Sequence, residues 1–502
     1  MTPHRGERGE RGERGERVAL VFEDEEYSHA RLDALAAGLA GALAARGATA
    51  GDRIALMSAN RPEWVAAVQA IWRLGASVVL FSPAWKRTET EHALKITEPA
   101  YAVGDHPVLA ELTDMLDLNE LNELNELNEL IDPGTSTPSA VPADDAEAVL
   151  VFSSGTTGLP KAVIHTHGSL RAAIVHWRDA LELTSADRIQ VTTPPSHILG
   201  LLNIATALEL GIWMRLHRRF DLDRMLGAIE ADKITVEMAV APIALALANH
   251  PRLESYDLSS LRFIMWGATP VTPSVAQTVS RRTGVAWVPA YGASELPVIT
   301  CNPVRGARLD SAGKAVPGVS LRVVSLETGR PVPAGETGEI QLRAASLMAG
   351  YLPAEETAAS FDDGWYRTGD VGYVEPDGWV HLTDRSKEMI KVRGFQVAPA
   401  EVEGVLLGHP AVRDCAVFGI PDPVNGESII AAVALDPEAA DPAVPIAPAD
   451  LAAYVGDRLA SYKKPARVIV VDQIPRLPSG KALRRVLKEN YLKETDGRAP
   501  VA

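Results

Sequence analysis

The densest chemistry in the chain lies in nine consecutive residues, Ser153-Ser154-Gly155-Thr156-Thr157-Gly158-Leu159-Pro160-Lys161. Gly155 and Gly158 let the backbone come close to a ligand and adopt positive φ. Ser153, Ser154, Thr156 and Thr157 supply hydroxyl and amide donors, and Lys161 adds a positive charge. A loop furnished in this way suits a polyphosphate. It is not the Walker A loop, which needs glycine, four residues and then Gly-Lys-Ser/Thr. Here Pro160 precedes Lys161 and Ala162 follows it.

Such a loop must be positioned by a scaffold, and the flanking pattern predicts one. Arg17–Phe22, Arg53–Ser58 and Ser77–Phe81 read as strands. Leu32–Ala45, Trp64–Leu74 and Glu89–Ile96 read as helices between and after them. Alternation of this kind points to a parallel sheet with helices on its faces, and it resumes from Ala148 to about Pro297. From about Leu321 to Thr383 the segments are strand-like and broken by glycine and proline, which predicts a smaller β-rich unit. A third, α+β unit runs from about Lys387 to Leu492 and contains a loop rich in proline and alanine, Asp436–Pro448. The expected fold is therefore α/β, with a large N-terminal part made of α/β and β-rich regions and a small C-terminal α+β domain.

Composition excludes several classes. The 502 residues suffice for about three packing units. A net charge of −16 lacks the basic footprint of a general nucleic-acid binder, though a local phosphate pocket stays compatible with it. Two cysteines, Cys301 and Cys415, cannot build a disulfide framework or a zinc finger. No apolar run reaches the length of a membrane span. Residues 1–17 are charged and lack the apolar core of a signal peptide, so a cytoplasmic location is expected. Arg5–Arg17 repeats Arg-Gly-Glu, and glycine at every third position opposes a helix, so residues 1–17 read as a disordered arm. Leu118–Leu130 repeats Leu-Asn-Glu. Each step of three turns an α-helix by about 300°, so the leucines drift by about 60° and form no stripe. This repeat reads as a surface connector.

Four further motifs follow in order: Tyr291-Gly-Ala-Ser-Glu295, Trp365-Tyr-Arg-Thr-Gly-Asp370, Asp384–Glu403 (DRSKEMIKVRGFQVAPAEVE) and Pro475–Arg485 (PRLPSGKALRR). With the loop at 153–161, they resemble the ordered signatures of the adenylate-forming superfamily, which holds acyl- and aryl-CoA ligases, luciferases and peptide-synthetase adenylation domains. The hinge wording is most similar to 4-coumarate–CoA ligases and related acyl-CoA synthetases. The resemblance spans about Arg17 to Leu492.

It implies an ATP-dependent, Mg²⁺-requiring carboxylate–CoA ligase that works through an acyl-adenylate. It also implies a large AMP-binding domain over residues 18–384, a small mobile domain over 385–502 and a hinge near 384–387. By resemblance, Asp370 presents its carboxylate to the ribose hydroxyls, and Arg385 joins the ribose or α-phosphate by charge-assisted bonds. Glu295 holds Mg²⁺, a hard cation suited to carboxylate and phosphate oxygens. Ser294 keeps the hydroxyl that the family's usual threonine gives to the α-phosphate. Tyr291 offers its ring to adenine, and Gly267 and Ala268 line the adenine and acyl pocket. Lys481 enters the site for the first half-reaction and stands between two anions, the substrate carboxylate and the α-phosphate. Lys387 matches the hinge. Lys391 and Gln396 match substrate-side residues, Arg393 and Gly394 match a CoA-contacting pair, and Arg219 reaches the CoA nucleotide.

His197, in Pro-Pro-Ser-His, resembles the histidine that borders the acyl pocket and CoA tunnel. A core histidine is the other reading of the same residue. Ser196 stands where the family usually has phenylalanine. Leu199, Trp266 and Ala290 depart from the plant ligases at pocket positions. These departures point to an apolar acid other than 4-hydroxycinnamate, whether aryl, fatty or terpenoid. The sequence leaves the acceptor open between CoA and a carrier protein or partner enzyme, and a non-catalytic ligand-binding protein on the same fold is the remaining alternative. Oligomeric state is not legible.

Overall fold

The alternating strands and helices of the first three hundred residues divide between two sheets instead of extending one. The computed structural model describes residues 15–120, 142–153, 160–268, 272–385, 388–392, 395–422, 426–436, 446–476 and 482–496. Most of the expected N-terminal arm and of the Leu-Asn-Glu connector lies outside these residues. Of the connector, Leu118–Glu120 form a 3₁₀ turn.

Among the described residues, one sheet has nine strands. Its centre is parallel and runs from Trp287–Tyr291 through Phe263–Trp266, Val236–Ala239, Arg188–Val191 and Trp213–Leu216 to Val18–Phe22. The second has seven strands, with Glu147–Ser153, Ser77–Leu80, Arg53–Met57, Tyr101–Gly104 and Met115–Asp117 parallel. Lys161–Thr166 and Gly350–Leu352 extend it antiparallel. Strands buried on both faces read as continuous apolar runs, and Ala148–Val151 and Val78–Leu80 are fully buried. The largest core cluster joins both sheets through the helices His29–Ala45, Pro62–Arg73, His167–Ala180 and Ile198–Leu210. Ser28 caps the first of these by accepting from the Arg31 amide, and Pro62 opens the second at a position where its missing N–H costs nothing.

The expected β-rich unit is a five-stranded sheet in which Val319–Val324, Gly338–Ala344, Trp365–Val374 and Val380–Arg385 pair in antiparallel succession. The small C-terminal unit has its own sheet and its own core, with Val412–Asp422 paired along its length to Gly426–Leu435. Its helix Pro399–Leu407 packs against Val380–Arg385 of the β-rich unit.

One buried ion-forming group sits within the nine-stranded sheet. Glu237 is fully buried, its Oε2 accepts from Gln190 Nε2 at 2.5 Å, and its Oε1 has no partner among the described residues. Gln190 Oε1 in turn accepts from His217 Nε2 at 2.7 Å. Burial lifts the Glu237 carboxyl from 4.5 to about 8 and depresses His217 to about 4, so both are neutral at pH 7. Between those two values for Glu237 the folded chain holds a proton that the unfolded chain has released, so stability falls as pH rises through this window. We expect Glu237→Gln to remove that loss. Denaturation midpoints of the variant should decline less than those of the parent between about pH 5 and pH 8. Parallel declines would show that the Glu237 carboxyl ionises in the folded chain as it does in the unfolded one.

Candidate active site

The two described ends of the hydroxyl- and glycine-rich loop face each other across a β-ladder. Ser153 ends one strand, Lys161 begins the next, and the two are register partners. Ser153 Oγ is buried without a hydrogen-bond partner among the described residues. A buried donor in that state costs about 1–3 kcal/mol unless something accepts from it, and a phosphate oxygen would. Lys161 Nζ lies 4.0 Å from the centre of the Tyr351 ring and 3.3 Å from Glu356 Oε2. Ser154, Gly155, Thr156 and Thr157 lie outside the described residues.

The strand Trp287–Tyr291 delivers the second group. Tyr291 OH donates to Asp370 Oδ2 at 2.5 Å, which joins two motifs separated by 79 residues. Asp370 is held by its own turn, since its amide donates to Thr368 Oγ1 at 2.9 Å. The tight turn after Tyr291 needs glycine: a Cβ on Gly292 would lie 2.1 Å from the Pro297 carbonyl oxygen. Behind the turn, His165 is fully buried and kept neutral by desolvation, and its Nε2 donates to the Ser294 carbonyl at 2.7 Å. Met348 N donates to the Glu295 carbonyl at 2.8 Å. The backbone of Ser294 and Glu295 is thus pinned from two sides. The Glu295 side chain is buried, and its Oε1 accepts from Tyr351 OH at 2.8 Å. No cluster of three or more metal-ligating side chains occurs among the described residues. Mg²⁺ does not need one, because it is usually held by one or two carboxylates, phosphate oxygens and water. The Glu295 carboxylate, which lines the cavity, fits that role.

These groups line one cavity of about 840 Å³. Its apolar end is walled by Leu199, Leu202, Val240, Leu245 and Ala290. His197 caps the helix Ile198–Leu210, and its Nδ1 accepts from the Leu199 amide at 3.4 Å. Burial lowers its pKa, so the imidazole is neutral. Gly200 permits this geometry, since a Cβ there would sit 2.3 Å from the Pro194 carbonyl. Gly267 and Ala268 also line the cavity, and Ala268 holds a left-handed φ of 62°. Trp266 is counted in the wall, yet its ring is fully buried and packs on Trp287 at 5.2 Å. The residue thus borders the cavity while its indole packs into the core.

The small domain closes the remaining side with Glu388, Glu403, Arg476, Ala482 and Arg484. Arg484 pairs with Glu388 and with Glu403, the latter at 2.9 Å, and Arg476 pairs with Asp414 at 2.6 Å. Arg476 and Ala482 form a bridge, so the segment bearing Lys481 leaves from and returns to the cavity wall. Lys481 itself, Lys387, Arg393 and Gly394 lie outside the described residues, as do the side chains of Arg385 and Gln396. The Arg385 backbone is the register partner of Asp370. Lys391 and Arg219 are described, exposed, and not part of this wall.

Tyr351 was not foreseen. Its contact depends on Gly350–Leu352 pairing with Lys161–Thr166, a long-range register that no local pattern announces. His165 had a signal, because alternation in the strand Lys161–Thr166 places it on the same face as Lys161.

Residues 9–352 match the family described as AMP-binding enzyme, and residues 401–481 match the AMP-binding enzyme C-terminal domain. The chain belongs to the AMP-binding, adenylate-forming enzymes. It is 37% identical over 372 residues to 4-coumarate–CoA ligase-like 9 of Oryza sativa subsp. japonica, an alignment that covers 70% of this chain and 66% of that relative. It is 34% identical to feruloyl-CoA synthase of an Amycolatopsis species over 92% of this chain and 94% of that one. ATP-bound MatB from Rhodopseudomonas palustris superposes with a TM-score of 0.87 at 28% identity, covering 95% of this chain and 96% of that one. The apo form of MatB gives 0.77 at the same coverage. No helix among the described residues is long and apolar enough to cross a membrane.

Proposed function

We propose that the protein is an ATP-dependent carboxylate–CoA ligase that activates an apolar acid as an acyl-adenylate and then forms the CoA thioester. The observation that carries this reading is the shared cavity. It holds a Ser153 hydroxyl with no partner among the described residues, the Lys161 cation, the Tyr291–Asp370 pair and Glu295 beside an apolar chamber. Ser153 and Lys161 orient the triphosphate, and Asp370 takes the ribose. Glu295 would hold Mg²⁺, which when bound offsets the charge of the phosphates. The acid lies in the apolar chamber with its carboxylate toward the α-phosphorus. It attacks there, the bond to the bridging oxygen breaks, and pyrophosphate leaves. Lys481 stands between the two approaching anions. The positioning supplies most of the rate, as expected for phosphoryl chemistry.

For the second step, residues 385–502 rotate about 384–387 and bring Lys391, Arg393, Gly394 and Gln396 to the site, with Arg219 at the CoA nucleotide. Two observations support this. Lys391 is exposed and away from the cavity, as a residue of the other step should be. The better match to the ATP-bound form of MatB fits a chain arranged for the first step. The acyl acceptor is CoA, with a carrier protein as the competing acceptor, and the site of action is the cytoplasm, where ATP and CoA are available.

Pyrophosphate release should appear with one or more acids from a panel of aryl, fatty and terpenoid acids, and a thioester should accumulate when CoA is added. Pyrophosphate release with no change of product on CoA addition would transfer the acyl group to another acceptor. Absence of release across the panel would point to a binding protein.

A further inference from the structure

Tyr351 belongs to none of the motifs that define the site, yet it touches the two groups on which the triphosphate depends. Its hydroxyl donates to Glu295 Oε1 at 2.8 Å and lies 3.1 Å from the Tyr366 hydroxyl. Its ring carries Lys161 Nζ at 4.0 Å from the centroid. The side chain is buried, and burial beside the Glu295 carboxylate pushes its phenol far above the ordinary tyrosine range, so the hydroxyl stays a donor. Tyr351 is carried on Gly350–Leu352, which is laced to the strand of Lys161 by the pairs Gly350↔Ile164, Tyr351↔Val163 and Leu352↔Ala162. The Met348 amide, three residues earlier, holds the Glu295 carbonyl.

We propose that Tyr351 is a positioning residue with two separable functions. Its hydroxyl fixes the Glu295 carboxylate so that Oε2 is presented to the metal that accompanies ATP. Its aromatic face holds Lys161 for the phosphates without neutralising it. A carboxylate partner alone would do the second task poorly, because an ion pair competes with phosphate for the same charge. The π-face attracts the ammonium while leaving its donors available. Glu356, at 3.3 Å and more than one-third exposed, is the weaker, solvent-screened partner. The proposal rests on the reading of Glu295 as the Mg²⁺ ligand.

The two functions predict different defects in nucleotide binding, measured by titration calorimetry on the full chain with and without Mg²⁺. Tyr351→Phe keeps the ring and loses the hydroxyl. It should bind ATP without Mg²⁺ within about twofold of the parent, and bind ATP with Mg²⁺ about tenfold more weakly. Tyr351→Leu loses both and should be weakened in both conditions. A Phe variant that matches the parent in Mg²⁺, or that is weakened equally with and without it, overturns the assignment of the hydroxyl. A Leu variant that binds Mg²⁺-free ATP like the parent overturns the assignment of the ring. Glu295→Asp offers a second route should Y351F not fold. It keeps the charge but withdraws the carboxylate from the tyrosine, and should reproduce the Mg²⁺-dependent weakening. Parental Mg²⁺ dependence in E295D would overturn the proposal. A parent chain whose ATP binding ignores Mg²⁺ would instead remove the underlying reading of Glu295.

Discussion

Lys481→Ala should slow formation of the acyl-adenylate by about 10²–10³-fold, the cost of removing one preorganised group that meets charge in a transition state. Formation of thioester from supplied acyl-adenylate and CoA should change by less than about tenfold, because the carboxylate and α-phosphate no longer have to be brought together. The two rates are read separately, the first as pyrophosphate release and the second as CoA thioester in the absence of ATP. Arg476 and Ala482, which bracket the segment, line the same cavity as Glu295 and Asp370. An equal fall in both rates would mean that Lys481 does not belong to one step alone, and the two-conformation scheme would lose its support.

Asp370→Ala should weaken ATP binding by about 10–100-fold, corresponding to about 1.5–3 kcal/mol for hydrogen bonds to a charged acceptor. Part of that loss is local. Tyr291 OH now donates to Asp370 at 2.5 Å and would be left in a buried position without it. Tyr291→Phe separates the contributions, since it deletes the donor and spares the carboxylate. Affinity for ATP should fall much less in Tyr291→Phe than in Asp370→Ala. If the two variants lose equal affinity, Asp370 matters for the tyrosine and not for the ribose. Calorimetric titration with ATP and with a deoxy analogue lacking the ribose hydroxyls would complete the comparison, because Asp370→Ala should no longer distinguish them.

The units of the fold were legible because composition and periodicity are local. The strands Val18–Phe22, Arg53–Met57 and Ser77–Leu80 and the helices between them fall within a few residues of the alternating pattern. Their distribution between two sheets was not legible. Val18–Phe22 joins Trp213–Leu216, nearly two hundred residues away, while Arg53–Met57 joins the other sheet. Partner choice of that kind is decided by which faces bury together, and alternation alone carries no trace of it. The site divides in the same way. Ser153, Lys161, Tyr291, Glu295 and Asp370 were readable as residue types in ordered strings, and they share one cavity. Tyr351 was not. Its place depends on a strand register, and for a strand buried on both sides the sequence gives no polar alternation to fix one.

The small domain's wall of the cavity has a consequence for the cost of moving it. Its cations are matched within the same domain: Arg484 by Glu388 and Glu403, and Arg476 by Asp414. No ion pair in this set spans the cleft. Moving these pairs as a unit keeps their own partners together, so for them separation need not repay the desolvation that unpaired buried ions demand. In the rotation proposed for the second step, the wall would lift off as a self-compensated tile. Added salt, which would loosen a clasp made of ions across the cleft, should leave the balance between the two arrangements nearly unchanged.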